Sequence, residues 1–118
     1  MTEITQLSPS DFEGKRLIHS GTLAVLFLAQ WCPFCSSFYP GFQEAMNGKS
    51  VPWAVADISE EENPLWEIFD VAVVPTIIVF KNGESVFRRD GVRGRGLSQK
   101  AIDETIQECK TLDTAEPH

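Results

Sequence analysis

An α/β fold built on a mixed sheet is what this sequence predicts, and three observations carry that expectation. Short apolar runs alternate with stretches whose apolar residues recur every three to four positions, the pattern of strands joined by helical crossovers. Asn82-Gly83 lies between two further strand-like stretches and marks a tight hairpin, so one strand must run antiparallel to its neighbour. The whole fits in 118 residues, 42% apolar and 23% charged, the size and composition of one globular domain.

Each element follows from local chemistry. Ser8-Pro9-Ser10-Asp11 sets a capping serine before a proline, with an acid three residues on, which predicts a helix to about His19; Gly21 then breaks the chain. Thr22 to Ala29 reads as a strand buried on both faces. From Cys35, apolar Phe38, Tyr39, Phe42, Ala45 and Met46 mark one face of a helix ending at Asn47-Gly48, with Pro40 expected to kink it. Val51 to Asp57 reads as a second buried strand, and Asn63-Pro64 caps a shorter helix to about Asp70. Val74-Pro75-Thr76 leads into a strand over Ile77 to Phe80, and the hairpin returns a last strand from Glu84 to about Asp90. Ser98 caps a final helix in which Leu97 and Ile102 form a staple and Ile102, Ile106 and Cys109 share one face. Residues 1–110 therefore read as one domain and 111–118 as a frayed polar tail.

Charge and apolar content exclude several functions. The longest apolar run, Leu23 to Ala29, is far short of the roughly 20 residues that cross a bilayer as a helix, so no membrane association is expected. The first fifteen residues carry Glu3, Asp11 and Glu13 with Lys15 as their only base, unlike a secretory signal, which makes the cytoplasm the default location. A net charge of −7 disfavours nucleic acid as a partner. The bases nonetheless cluster: residues 81–100 carry six against two acids, a solvated hairpin and loop or a docking face.

Cys32 and Cys35, two residues apart at a strand-to-helix junction, carry the chemistry. Such a pair can close a small disulfide ring where the chain already turns. A helix start favours an anion, so Cys32 is the expected nucleophile, and Pro33 suits the first turn, where its missing N–H costs nothing. Cys35, one turn inward on the apolar stripe, is the expected shielded, resolving partner. A zinc site would need further ligands, and Cys109, His19 and His118 belong to no motif, so no metal is expected. Cys109 reads as core filler, and the run Glu60-Glu61-Glu62 as a solvated loop.

Trp31-Cys32-x-x-Cys35 after a buried strand, Pro40, Val74-Pro75-Thr76, Phe80-Lys81-Asn82-Gly83 and Gly91 together resemble the thioredoxin family in order and approximate spacing, over about residues 4 to 110. The resemblance implies the thioredoxin fold, a central mixed β-sheet of four or five strands flanked by about four helices. It further implies a cis Pro75 packed against the active-site disulfide, with the backbone at Val74 pairing with a substrate strand and Trp31, Pro33, Phe34 and Gly91 shaping the site.

This sequence departs from the family at four places. Pro33-Phe34 replaces the usual Gly-Pro and resembles the Cys-Pro-aromatic-Cys of glutaredoxins. Leu26 stands where many thioredoxins bury an aspartate under the resolving cysteine, and the lysine near that aspartate has no evident counterpart in Val51-Pro52-Trp53-Ala54. The connection Gly91 to Leu97 is longer than usual, and its Arg93 and Arg95 are expected to favour the Cys32 thiolate and acidic partners.

The function implied is thiol–disulfide exchange on protein disulfides by a monomer that needs no bound cofactor and draws electrons from a separate reductase or dithiol donor. A glutathione-dependent, glutaredoxin-like enzyme and a non-enzymatic binding module are the alternatives. The glutaredoxin-like reading gains from Pro33-Phe34 but loses from Trp31 and from the absence of that family's Gly-Gly-x-x-Asp stretch.

Overall fold

The computed structural model describes residues 6–115. Its elements in chain order are β1 (Gln6–Leu7), a 3-10 turn (Pro9–Asp11), β2 (Phe12–Glu13), β3 (Arg16–Leu17), β4 (Thr22–Leu28), α1 (Pro33–Gly48), β5 (Trp53–Asp57), α2 (Leu65–Ile68), β6 (Thr76–Lys81), β7 (Glu84–Arg89) and α3 (Gln99–Ala115). Five strands form one mixed sheet in the order β1-β5-β4-β6-β7; β1, β5 and β4 run parallel, and β6 and β7 antiparallel to their neighbours. The hairpin turn is the expected one, with Asn82 and Gly83 at φ 50° and 90°.

Strand alternation sorts the core onto two faces. Ala24 and Leu26 of β4, Trp53 and Val55 of β5, and Ile77 and Val79 of β6 pack under α1 and α3, with Phe38, Phe42, Met46, Ile102 and Cys109. Leu23, Val25 and Phe27, with Ala54, Ala56, Ile78 and Phe80, face the other way, against Phe12, Leu17, Leu65 and Phe69. Leu26 is completely buried, so its position serves α1 packing and carries no charge. No helix among the described residues is long and apolar enough to cross a membrane.

The first expected helix does not form, which leaves three α-helices among the described residues rather than about four. Its capping signals are used: Ser8 N donates to Asp11 Oδ2 at 2.8 Å and Asp11 N to Ser8 O at 2.9 Å, but they close only one 3-10 turn. Phe12 and Leu17, five apart, would point about 140° away from each other on a helix. Across the β2–β3 hairpin they are direct partners and both enter the core, and Gly14, at φ 58°, makes the turn. The other end differs in the opposite sense. Helix α3 continues through Thr111 to Ala115, where a frayed tail was expected, because Leu112 extends the apolar stripe onto the core; 116–118 lie outside the described residues. Helix α2 is shorter than expected, since Asp70 adopts φ 51° just beyond it.

Candidate active site

β4 delivers the chain to the start of α1, where the two cysteines sit. Cys32 is the N-cap of α1 and Pro33 its first residue. The Cys32 carbonyl accepts the N–H groups of Cys35 and Ser36 at 3.1 and 3.2 Å, and Cys32 N donates to Ala29 O at 3.2 Å, so the motif is pinned at both ends. Neither cysteine of the pair is joined in a disulfide. Exposure barely separates the two, at 5% for Cys32 and 2% for Cys35. Their surroundings do: the Cys32 thiol donates to Val74 O at 3.5 Å, on the far side of the site, whereas Cys35 lies against Cys32 and the Ala29 backbone.

Burial pushes the Cys35 thiol up from 9.0 to about 12, with further upward contributions from its hydrogen bond to Cys32 and from the charges of Cys32 and Asp57; the Ala29 backbone acts against them. The folded chain therefore keeps a proton that the unfolded chain releases. That stability is complete below 9.0 and is lost as pH rises toward about 12. Urea midpoints of the reduced protein are expected to fall between about pH 9 and 12, and those of a Cys35→Ser protein to stay flatter over the same range.

The Val74–Pro75 peptide is cis, as the resemblance implied, and both residues are buried. Thr76 Oγ1 donates to Val73 O at 2.7 Å and accepts Gly91 N at 3.4 Å. A Cβ on Gly91 would sit 2.4 Å from Pro75 O, so only glycine permits this approach. Trp31 and Phe34 are the exposed aromatics beside the pair, at 61% and 39%. Trp31 Nε1 donates to Ser59 O at 2.8 Å, and its ring stacks on Trp66, centroids 6.3 Å apart and planes 7° from parallel.

The basic stretch divides into two parts. Arg88 pairs with Asp90 and donates to the carbonyls of Phe69 and Asp70, and Arg89 pairs with Glu104 of α3 at 2.9 Å, so these two hold the fold together. Arg93 and Arg95 are exposed on a turn closed by reciprocal hydrogen bonds between Val92 and Gly96. Arg95 lines a cavity of about 210 Å³ with Phe34, Ser37 and Phe38, and Gly96 lies so close to Phe34 that a Cβ would stand 2.9 Å from its Cβ. His19 is exposed, His118 lies outside the described residues, and Cys109 is buried among Ile102 and its neighbours under the sheet. Among the described residues no group of three His, Cys, Asp or Glu could hold a metal ion.

Four residues of this region escape the reading of motifs. Asp57 Oδ2 accepts Gln30 Nε2 at 2.7 Å; its Oδ1 accepts the Ser59 amide at 2.9 Å and the Ser59 hydroxyl. Ser59 Oγ in turn accepts Gln30 N at 2.8 Å. Burial alone would raise the Asp57 carboxyl, but the hydrogen bonds from Ser59 and Gln30 more than offset it and hold the carboxyl below its usual range. Trp66, the fourth, gains its place by stacking on Trp31 and donating to Ile58 O at 2.9 Å. The signal available beforehand was parity: Asp57 continues the alternation of Trp53 and Val55, the face under α1.

A family model for thioredoxin matches residues 3–108. The chain is 30% identical over 104 residues to thioredoxin of Staphylococcus epidermidis, covering 87% of this chain and 98% of that one. It is 32% identical over 96 residues to thioredoxin-1 of Caenorhabditis elegans, covering 80% and 83%. Thioredoxin f2 of Chlamydomonas reinhardtii superposes with a TM-score of 0.71 at 19% identity, over 90% of this chain and 96% of that one, a likeness of fold. With a cysteine pair at the start of α1 facing a cis proline, the chain belongs to the thioredoxin family of thiol–disulfide oxidoreductases.

Proposed function

We propose that the protein reduces protein disulfides by dithiol exchange, with Cys32 as nucleophile and Cys35 as resolving thiol. The observation that carries the assignment is the Cys32 position: N-cap of α1, thiol aimed at Val74 O across the site, while Cys35 lies one turn inward with its proton held tightly. The Cys32 sulfur attacks a substrate disulfide, bonds to one sulfur and expels the other as a thiolate. Cys35 then gives up its proton and bonds to Cys32; the Cys32–substrate bond breaks, and the second substrate sulfur leaves as a thiolate that takes up a proton. The substrate gains two electrons, and Cys32–Cys35 becomes the disulfide. An extended substrate segment pairs with the backbone at Val74, beside the surface of Trp31, Phe34, Pro75 and Gly91. No resident cofactor enters the cycle; a separate reductase or dithiol supplies the electrons, in the reducing cytoplasm.

The test is turnover on a protein disulfide fed by dithiothreitol or by glutathione. Rapid dithiothreitol-supported reduction is the expected result, and activity with glutathione alone would move the assignment to the glutaredoxin-like reading. Arg93 and Arg95 give the turn beside Phe34 a local positive potential in a chain of net charge −7, and acidic substrates gain from it. An Arg93→Ala, Arg95→Ala protein is expected to reduce an acidic disulfide peptide several-fold more slowly at low salt and to lose most of the salt dependence. Identical salt profiles for the two proteins would remove the arginines from the mechanism.

A further inference from the structure

Leu26 leaves the core beneath the cysteines without a charge, yet β5 supplies one. Trp53 touches the rings of Tyr39 and Phe42 on α1, with centroids 6.1 and 5.8 Å away. Asp57 lies four residues further along the same face of β5, about 13 Å on. Because a strand–helix–parallel strand unit runs the helix back against the strands, about 13 Å takes α1 back roughly nine residues from that contact, to its first turn. Register agrees. Asp57 pairs with Leu28, two residues before Gln30, whose side chain reaches back to the Asp57 carboxylate. Three hydrogen bonds from Gln30 and Ser59 fix that carboxylate, partly buried and ionised, level with Cys32 and Cys35.

We propose that Asp57, clamped by Gln30 and Ser59, is an electrostatic partner of the resolving cysteine: its fixed negative charge adds to burial in holding the proton on Cys35. Asp57 acts through Cys35 and not on the substrate. The inference rests on the assignment of Cys35 as the resolving thiol. The direction of the Cys35 shift is consistent with it, since the Asp57 charge raises that thiol. The ionisable groups that act on Cys35 are Cys32, at the N-cap of the same helix, and Asp57 on β5; the end of β4 and the residue after it offer apolar Leu28 and Ala29, and the facing segment offers Val74. A carboxylate held this firmly in its ionised form is a poor store for a proton, which favours a charge effect over general-base work.

The experiment measures the pH midpoint of Cys35 alkylation by peptide mass spectrometry in a Cys32→Ser background, so that Cys35 titrates alone and Cys109 is resolved by its own peptide. Asp57→Asn is expected to lower the midpoint, a gain of a few-fold in acidity. Asp57→Ser, small enough for the site and still able to bond Gln30, should do the same, and Asp57→Glu, which keeps the charge, should leave it near the parent value. Disulfide formation between Cys32 and Cys35 is followed in parallel in the protein with both cysteines. If the disulfide forms and the midpoint is unmoved in folded Asp57→Asn or Asp57→Ser protein, the Asp57 role is overturned while the redox assignment stands. Slower resolution of the mixed disulfide with no change in midpoint would overturn it too, pointing to a proton acceptor in place of a charge. If no disulfide forms, both fall.

Discussion

A Cys32→Ser protein is expected to lose protein-disulfide reduction by roughly three orders of magnitude or more, the scale on which losing a covalent nucleophile is felt. Cys35→Ser should fail differently. Its Cys32 can still attack, but no second thiol releases the product, so a stable adduct of protein and substrate accumulates and shows as the summed mass on a non-reducing analysis. The asymmetry follows from position: Cys32 sits at the N-cap facing Val74, and Cys35 is packed one turn inward with its thiol pushed up to about 12. Adduct trapping by Cys32→Ser in place of Cys35→Ser would reverse the two roles.

The second large effect concerns the face of the sheet opposite α1. Phe80 is fully buried and meets Phe12 and Phe69 edge-on, with ring centroids 6.0 and 5.6 Å away. Truncation to alanine removes a whole ring from a packed cluster, and Phe80→Ala is expected to cost about 3–5 kcal/mol of unfolding free energy in urea titration. Against the usual stability of about 5–15 kcal/mol for a domain, that is a large share. A loss under about 1 kcal/mol would mean that the cluster collapses around the gap, and that the β2–β3 hairpin contributes little to holding it shut.

That hairpin is also where sequence reasoning and structure part. Ser8, Pro9 and Asp11 carry a sound helix-start signal, and the local hydrogen bonds it calls for exist. Capping chemistry says where a helix can begin and nothing of whether its apolar face has a core to meet. Phe12 and Leu17 could reach the same core only as cross-strand partners, and that long-range demand outweighed the cap. β4, α1, β6 and the Asn82-Gly83 hairpin were legible because their signals are local and agree with their burial. The end of α3 was obscured by polar residues around Leu112, which packs against the core.

The site divides in the same way. Trp31, Cys32, Pro33, Cys35 and Val74-Pro75 form a motif, and the structure brings them together. Asp57, Gln30, Ser59 and Trp66 come from three separate segments and meet only when β5 settles beside β4. Val51-Pro52-Trp53-Ala54 holds no charge, and Asp57, at the other end of β5, belongs to no motif.

The central claim is that Cys32 and Cys35 form one reversible two-electron couple. The most direct measurement equilibrates the protein in a graded series of dithiothreitol redox buffers, quenches it by alkylation and assigns each cysteine by peptide mass. The expected result is a single transition in which Cys32 and Cys35 lose their reactivity together as the poise becomes oxidising, linked to each other, while the Cys109 peptide changes at no poise. Cys32 and Cys35 remaining alkylatable thiols at every poise would contradict it.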